Sequence, residues 1–207
     1  MQERQQRLQT QSDARREMVL DVARNVFAEL GIEGASIREI ARRAGYTPGA
    51  IYSYFESKEA IYGALLGESL ERLNACVSLA DVPGSPAQRL QANALAWFDF
   101  YASNPHVLDL GFYLARGMQP RGLTSELNQQ LNRRLRDSMA PAEAAMVALG
   151  LPAEAALREN TALFAHGVGL LLLQHTGRIR MFGQEAKPLF GDYLRHLAQR
   201  LGAPLLK

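Results

Sequence analysis

The chain has 207 residues, enough for one domain or two small ones. With 47% hydrophobic and 21% charged residues it has the composition of a globular protein rather than a disordered one. The formal charge is only +2, which excludes the uniformly basic proteins that coat nucleic acids but leaves room for a local patch that binds them.

The chain opens on a polar stretch, Met1 to Glu17, in which Arg4, Arg7, Arg15 and Arg16 stand among glutamines. It lacks the apolar core of a signal peptide and is expected to form a flexible extension over residues 1–12. Its arginines are candidates for contact with a polyanion. From Asp13 to Leu30, the residues Val19, Val22, Ala23, Val26, Phe27 and Leu30 recur every three or four positions. That spacing predicts an amphipathic helix, which Gly31 is placed to end.

Residues 34–58 read GASIREIARRAGYTPGAIYSYFESK. Ser36 followed by Glu39 has the spacing of a capping box. Ile37, Ile40, Ala41 and Ala44 give the helix that follows an apolar face. Gly45 permits a sharp turn. Thr47 and Pro48 then start a second short helix, to Tyr54, with Ala50, Ile51 and Phe55 turned inward. Two short helices joined by a glycine-containing turn form a helix-turn-helix. The early residues of the second helix, Pro48 and Gly49, are small enough to let its backbone approach base edges in a major groove. Thr47, Tyr52 and Tyr54 offer hydroxyls to phosphates, and Ser36 sits at a helix N-terminus, which favours an anion. Lys58 offers a point charge. Arg38 and Arg42 are four apart on one helix face; the former is expected to reach a guanine edge, and the latter, or Arg43, a phosphate.

The run from Val19 through Leu66 resembles the N-terminal domain of TetR-type (tetracycline-repressor-like) regulators. The resemblance is carried by Phe27, Gly31, Ser36-Ile37, Ile40-Ala41, Ala44-Gly45, Tyr52, Tyr54-Phe55, Ser57-Lys58-Glu59 and Leu65. It implies a three-helix DNA-binding head over residues 1–57. It also implies a larger helical body over 58–207 that binds a ligand and dimerises. By position, Ser36, Thr47, Tyr52, Tyr54 and Lys58 would touch phosphates, while Arg38, Pro48 and Gly49 face the bases. Pro48 and Gly49 lack side chains that hydrogen-bond to bases. Specificity is therefore expected to rest on Arg38, Thr47, Tyr52 and DNA shape.

Beyond the motif, prolines at 48, 83, 86, 105, 120, 141, 152, 188 and 204 punctuate helical periodicity. Helices are predicted from Lys58 to about Leu79, then at about 86–103, 105–117, 123–139, 141–149, 153–177 and 185–201. The fold expected is all-α, of about nine helices, since no segment alternates in the manner of a strand. Ser85-Pro86-Ala87-Gln88 combines a cap, a first-turn proline and a capping-box glutamine. The helix from Lys58, about 33 Å long at 1.5 Å per residue, would link head to body.

In the body, Trp97, Phe98, Tyr101, Phe112, Tyr113, Met118 and Phe164 are candidates for an apolar or aromatic pocket, or for a plain core. His166, Asn160 and Thr161 are candidate polar anchors. The two last helices, with Gly167, Leu170 and Leu171 on one and Leu189, Tyr193 and Leu197 on the other, are expected to form a dimer interface. Gly167 and Gly169 would allow close helix approach. Two heads about 34–36 Å apart would meet successive major grooves.

A single cysteine, Cys76, rules out an internal disulfide. The four histidines, at 106, 166, 175 and 196, form no metal-ligand set. No metal or cofactor is expected, and the longest apolar run, Ala162 to Leu173, is too short to span a bilayer. Taken with what the resemblance implies, the sequence is expected to be that of a soluble, cytoplasmic, dimeric regulator, a repressor that binds a palindromic DNA operator and is released by a small apolar or aromatic effector. The competing readings are a helical adaptor without DNA binding and a helical enzyme. Against the enzyme, no acid–base pair, phosphate loop or metal set has diagnostic spacing.

Overall fold

A computed structural model describes residues 2–81, 83–112 and 123–202. Ten α-helices and no strand occur among them: α1 (Gln2–Gly34), α2 (Ile37–Ala44), α3 (Pro48–Tyr52), α4 (Lys58–Ala80), α5 (Pro86–Ser103), α6 (Pro105–Phe112), α7 (Ser125–Asp137), α8 (Ala140–Ala148), α9 (Ala153–His175) and α10 (Ala186–Arg200). A 3₁₀ turn, Arg178–Phe182, joins the last two. Among the described residues no helix is long and apolar enough to cross a membrane, and no group of His, Cys, Asp and Glu is arranged to hold a metal ion.

Two boundaries differ from the periodicity. Helix α1 starts at Gln2 rather than Asp13. Residues 2–12 are Gln, Glu, Arg, Leu, Thr and Ser with no glycine or proline, so backbone propensity extends the helix beyond its apolar stripe. Helix α3 ends at Tyr52 rather than Tyr54, where the Ser53 hydroxyl donates to the Ala50 carbonyl at 2.7 Å and caps the last turn. At Gly31 the chain takes φ 67°, ψ 169°, which interrupts α1 near its end as the glycine suggested. The predicted helix at 105–117 is described to Phe112; residues 113–117 lie outside the described residues.

The chain groups into two compact units, one from residues 1–68 and 109–131, the other from 69–108 and 132–207. In the first, Val19, Ala23, Val26, Ile40, Ala41, Ile51 and Ile61 are fully buried. Phe27 meets the Tyr62 ring edge-on at 6.0 Å. Every large member of this cluster comes from the 3.6-residue repeats of α1, α2 and α4 or from the short helix α3. Gly63 of α4 lies against Leu127 of α7: a Cβ there would come within 2.5 Å of Leu127 Cδ2.

In the second unit α5 runs through the core, with Leu90, Ala94, Trp97, Phe98 and Tyr101 at most 1% exposed. The helix starts as its sequence dictates, Ser85 accepting from Gln88 N and the Gln88 side chain accepting from Ser85 N. Its first turns are held by a two-pronged ion pair between Arg89 and Asp81, both contacts 2.9 Å, to which Asn93 Nδ2 adds a bond at 3.1 Å. These partners hold the Asp81 carboxyl below the usual range, Arg89 first and Asn93 second. Phe98 stacks on Phe190 of α10 at 4.5 Å, and Trp97 meets Tyr101 at 5.2 Å and Phe164 at 5.4 Å.

Candidate nucleic-acid interface

The helix-turn-helix is built from capped ends. Ser36 is extended at φ −141°, and its hydroxyl accepts from Glu39 N at 3.2 Å to start α2. Gly45 ends α2 in the left-handed region, φ 71°, and donates to the carbonyls of Ala41 and Arg42. A Cβ at Gly45 would meet nothing within 4 Å, so the position needs glycine for its φ alone. Thr47 then accepts from Ala50 N at 3.2 Å, with Pro48 in the first turn of α3. Ile51 is completely buried and fixes the rotation of α3. That leaves Thr47, Pro48, Gly49 and Tyr52 facing outward, Tyr52 at 57% exposure. Tyr54 is half-buried behind them.

The charged candidates divide. Arg38 is exposed and has no ion-pair partner among the described residues. Arg42 grips Glu39 with two prongs, Nε to Oε2 at 3.0 Å and Nη2 to Oε1 at 2.7 Å. Arg43 reaches the same carboxylate at 2.7 Å and Glu29 of α1 at 2.7 Å. The reciprocal half of the Ser36–Glu39 capping box is thus not made: two guanidiniums outcompete one backbone amide for the carboxylate. They hold Glu39 far down, at about 2 against its ordinary 4.5, through hydrogen bonds from Arg42 and then Arg43. The three- and four-residue spacings were visible in the sequence, whereas the Glu29 contact comes from the fold.

Lys58 is half-buried, and its ammonium donates to the carbonyls of Ile32 at 2.9 Å and Ala35 at 3.2 Å. The point charge expected to face a phosphate therefore also closes the C-terminal end of α1, where unpaired carbonyls favour a cation. Ser57, noted in the sequence only as part of the resemblance, caps α4 by accepting from Ala60 N at 3.0 Å.

The body residues divide between the two readings that the sequence left open, pocket and core. Trp97, Phe98 and Tyr101 belong to the core, their rings closed on one another and on Phe164 and Phe190. A groove of about 270 Å³ in the second unit is instead lined by Leu135, Met139, Glu143, Asn160, Thr161 and Phe164, among others. Of the predicted pocket residues Phe164, Asn160 and Thr161 reach it. His166 does not: its ring stacks on Tyr193 at 4.3 Å, and burial holds its pKa below the ordinary value. Phe112 is placed only by its backbone, and Tyr113 and Met118 lie outside the described residues.

Asn160 Nδ2 donates to Met139 O and Glu143 Oε2, both at 3.2 Å, while its Oδ1 is buried without a partner. Ser69 Oγ, Asn93 Oδ1 and Trp97 Nε1 are buried and unpaired in the same unit. Such groups cost about 1–3 kcal/mol each when left unsatisfied. Sequence reasoning missed Ser69 and Asn93, because nothing local distinguishes a polar residue that faces the core.

The dimer candidates need correction too. Gly167, Leu171 and Leu197 pack their own protomer: the two leucines are at most 1% exposed, and a Cβ on Gly167 would lie 2.7 Å from Trp97 Cζ3. Leu170 is buried at 7% exposure, and Leu189 and Tyr193 are not buried in the protomer. The outward stripe of α9 is Ala162, Ala165, Gly169 and Leu172. Helical phase decides this, since residues 167 and 169 point about 200° apart.

Comparison with known proteins joins these observations. The family model described as bacterial regulatory proteins, tetR family, matches residues 19–65, the stretch that carries the helix-turn-helix. The transcriptional regulator BetI of Escherichia coli is 34% identical over 58% of this chain and 70% of its own length. The chain belongs to the TetR family. BetI of Serratia proteamaculans, at 32% identity, aligns over 67% of the chain and 76% of its own length. A transcriptional repressor of Mycobacterium tuberculosis is 38% identical, but the chain spans only 42% of its length. Among solved TetR-like structures, a regulator from Rhodococcus sp. superimposes with a TM-score of 0.69 at 24% identity, over 93% of this chain and 99% of that one. The regulator FadR of Bacillus subtilis, solved with stearoyl-CoA, does so at 0.66 and 19%, over 86% and 95%. At such identity these structures support the TetR fold. As a TetR-family protein the chain is a ligand-responsive transcriptional regulator.

Proposed function

We propose that the chain represses transcription by binding a palindromic operator as a homodimer, with residues 1–57 engaging DNA and 58–207 carrying the effector site and the dimer face. The observation that carries this reading is the outer surface of the helix-turn-helix. There Thr47, Pro48, Gly49 and Tyr52 are exposed around a buried Ile51, and Arg38 of α2 is exposed with no ion-pair partner among the described residues. Ser36, Thr47, Tyr52 and Tyr54 position the backbone of the duplex, and Arg38 reads a base edge. Arg42 serves only where phosphate competes with Glu39 for it.

The second protomer covers the stripe Ala162, Ala165, Gly169 and Leu172 of α9, together with Leu189 and Tyr193 of α10. Its small residues suit close helix packing. The effector is small and largely apolar. The groove beside Met139 and Phe164, at about 270 Å³, falls just under the usual range of about 300–1,000 Å³ for small-molecule sites. The buried, unpaired Asn160 Oδ1 offers it one acceptor. Helix α4 gives its first part to one compact unit and its second part to the other, so it is the element through which a bound effector changes the spacing of two heads.

The test is selection of duplex fragments from genomic DNA by the full-length chain, followed by titration of the recovered site. Arg38→Ala is expected to cost about 1–3 kcal/mol of affinity and to relax the sequence preference at one position. Tyr52→Ala is expected to weaken binding evenly across sequences, with size-exclusion elution and circular dichroism unchanged for both variants. Recovery of no preferred duplex would sink the operator reading.

A further inference from the structure

The N-terminal part of α1 extends well past the packed head. Arg4, Arg7, Leu8, Gln11 and Arg15 are all exposed, and the three arginines have no acidic partner among the described residues. Three of the extension's four arginines are sorted to one side of the axis, while Arg16 is turned away from them onto Phe55. Counting about 100° per residue, Arg4, Arg7, Gln11 and Arg15 fall within an arc of about 80°. Asp13 and Glu17 lie on the far side, and Asp13 is occupied by Gln9 at 3.0 Å.

The orientation of that arc is set by the buried half of the same helix. Val22 and Val26 follow Arg15 at seven and eleven residues, which returns to nearly the same direction, and Val26 is completely buried against the head. The arginine stripe therefore runs along the edge of that buried face, on the side where Glu29 meets Arg43 of α2 and Met18 meets Tyr46 in the turn before α3. Two contacts fix where the extension leaves the head. The Arg16 guanidinium sits 5.0 Å over the ring of Phe55, just after α3, and the Tyr46 hydroxyl donates to Met18 Sδ at 3.8 Å, just before it. From Arg16 outward, residues 2–15 project about 21 Å as helix. Arg4 and Arg15 are about 16 Å apart along it, the rise of about five base pairs.

We propose that this extension is a second DNA contact, in which Arg4, Arg7 and Arg15 lie along backbone phosphates flanking the sequence read by α3. The proposal rests on the DNA-binding reading and adds to it. Without the extension the head is not basic: residues 16–60 hold six basic and seven acidic side chains, and Arg42 and Arg43 are held by carboxylates. A stripe of unpaired guanidiniums on the side of α2 and the turn before α3 supplies the phosphate neutralisation that the head lacks. Arginine contacts of this kind position the protein without reading sequence, so they would lengthen the footprint without lengthening the recognised site.

The experiment uses the full-length chain and the duplex it selects, once with about ten base pairs of arbitrary sequence on each side and once trimmed to the recognised site. Affinity is measured between about 50 and 200 mM salt. Replacing Arg4, Arg7 and Arg15 together by glutamine keeps helix propensity. It is expected to lower the log–log salt slope by about 0.9 for each phosphate no longer neutralised, up to about 2.7 per protomer. Wild type should lose affinity when the flanks are trimmed, and the glutamine triple should not. The corresponding lysine triple should keep the wild-type slope, and Glu17→Gln on the opposite face should leave it unchanged. A glutamine triple with the wild-type slope and flank dependence, or a lysine triple as impaired as the glutamine one, overturns the proposal while the DNA reading stands. If the wild-type chain selects no duplex, both fall together.

Discussion

Gly167 and Gly169 lie two residues apart in α9, and alanine at each tests opposite environments. At Gly167 the new methyl carbon would lie 2.7 Å from Trp97 Cζ3 and 3.2 Å from Phe190 Cε2, closer than carbon atoms approach without displacement. Neither ring can step aside freely, because Trp97 is held between Tyr101 and Phe164 and Phe190 is stacked on Phe98. Overpacking of this kind costs about 1–3 kcal/mol. Replacing a mid-helix glycine by alanine gains about 1 kcal/mol in backbone propensity. Gly167→Ala is therefore expected to change stability by between about zero and a loss of about 2 kcal/mol. At Gly169 a Cβ meets nothing within 4 Å, so the propensity gain stands alone and the folded protomer is expected to gain about 1 kcal/mol. The two variants should differ by about 1–3 kcal/mol in urea unfolding at one protein concentration, or by about 2–4 °C in midpoint for each kcal/mol. If the partner protomer packs on the outer stripe, Gly169→Ala should also weaken association in sedimentation equilibrium while Gly167→Ala leaves it alone. Equal stability of the two variants, or a weakened dimer in Gly167→Ala only, would refute the division of α9 into an inner face at 167 and an outer one at 169.

Two further outcomes follow from the head. Lys58→Met removes the cation that satisfies the carbonyls of Ile32 and Ala35, and it is expected to lower the stability of the first unit by about 1.5–3 kcal/mol, read in chemical unfolding without any DNA present. An unchanged unfolding midpoint would show that Lys58 is available to DNA without structural cost. Glu39 has its folded pKa lowered from 4.5 to about 2 by Arg42 and Arg43, so its contribution is complete above the unfolded value and is lost as pH falls from about 4.5 towards 2. Glu39→Gln should flatten the stability–pH curve in that window and leave the curve near pH 7 parallel to wild type; an acid limb of unchanged steepness would count against the ion-pair cluster.

What the sequence by itself determined was local. The apolar repeat of Val19 to Phe27 made a helix with one buried face. Ser36, Gly45, Thr47 and Pro48 specified where two short helices start and turn, because caps and left-handed turns depend on a few neighbouring atoms. The density of that motif was enough to identify the family. The tertiary structure decided which way each remaining side chain faces. Trp97, Phe98 and Tyr101 were readable as aromatics on a helix, but whether they line a pocket or fill a core depended on Phe164 and Phe190, far along the chain. Gly167 was readable as permitting close approach, but the approaching group was an indole of the same protomer. Lys58 was readable as a charge at a helix start, and its partners, some 25 residues away, were visible only in the fold. Phase within a helix follows from sequence to within a residue or so, and an error of that size turns a side chain by about 100°. Placing a helix along the chain therefore survives the error, whereas assigning a residue to pocket, core or interface does not.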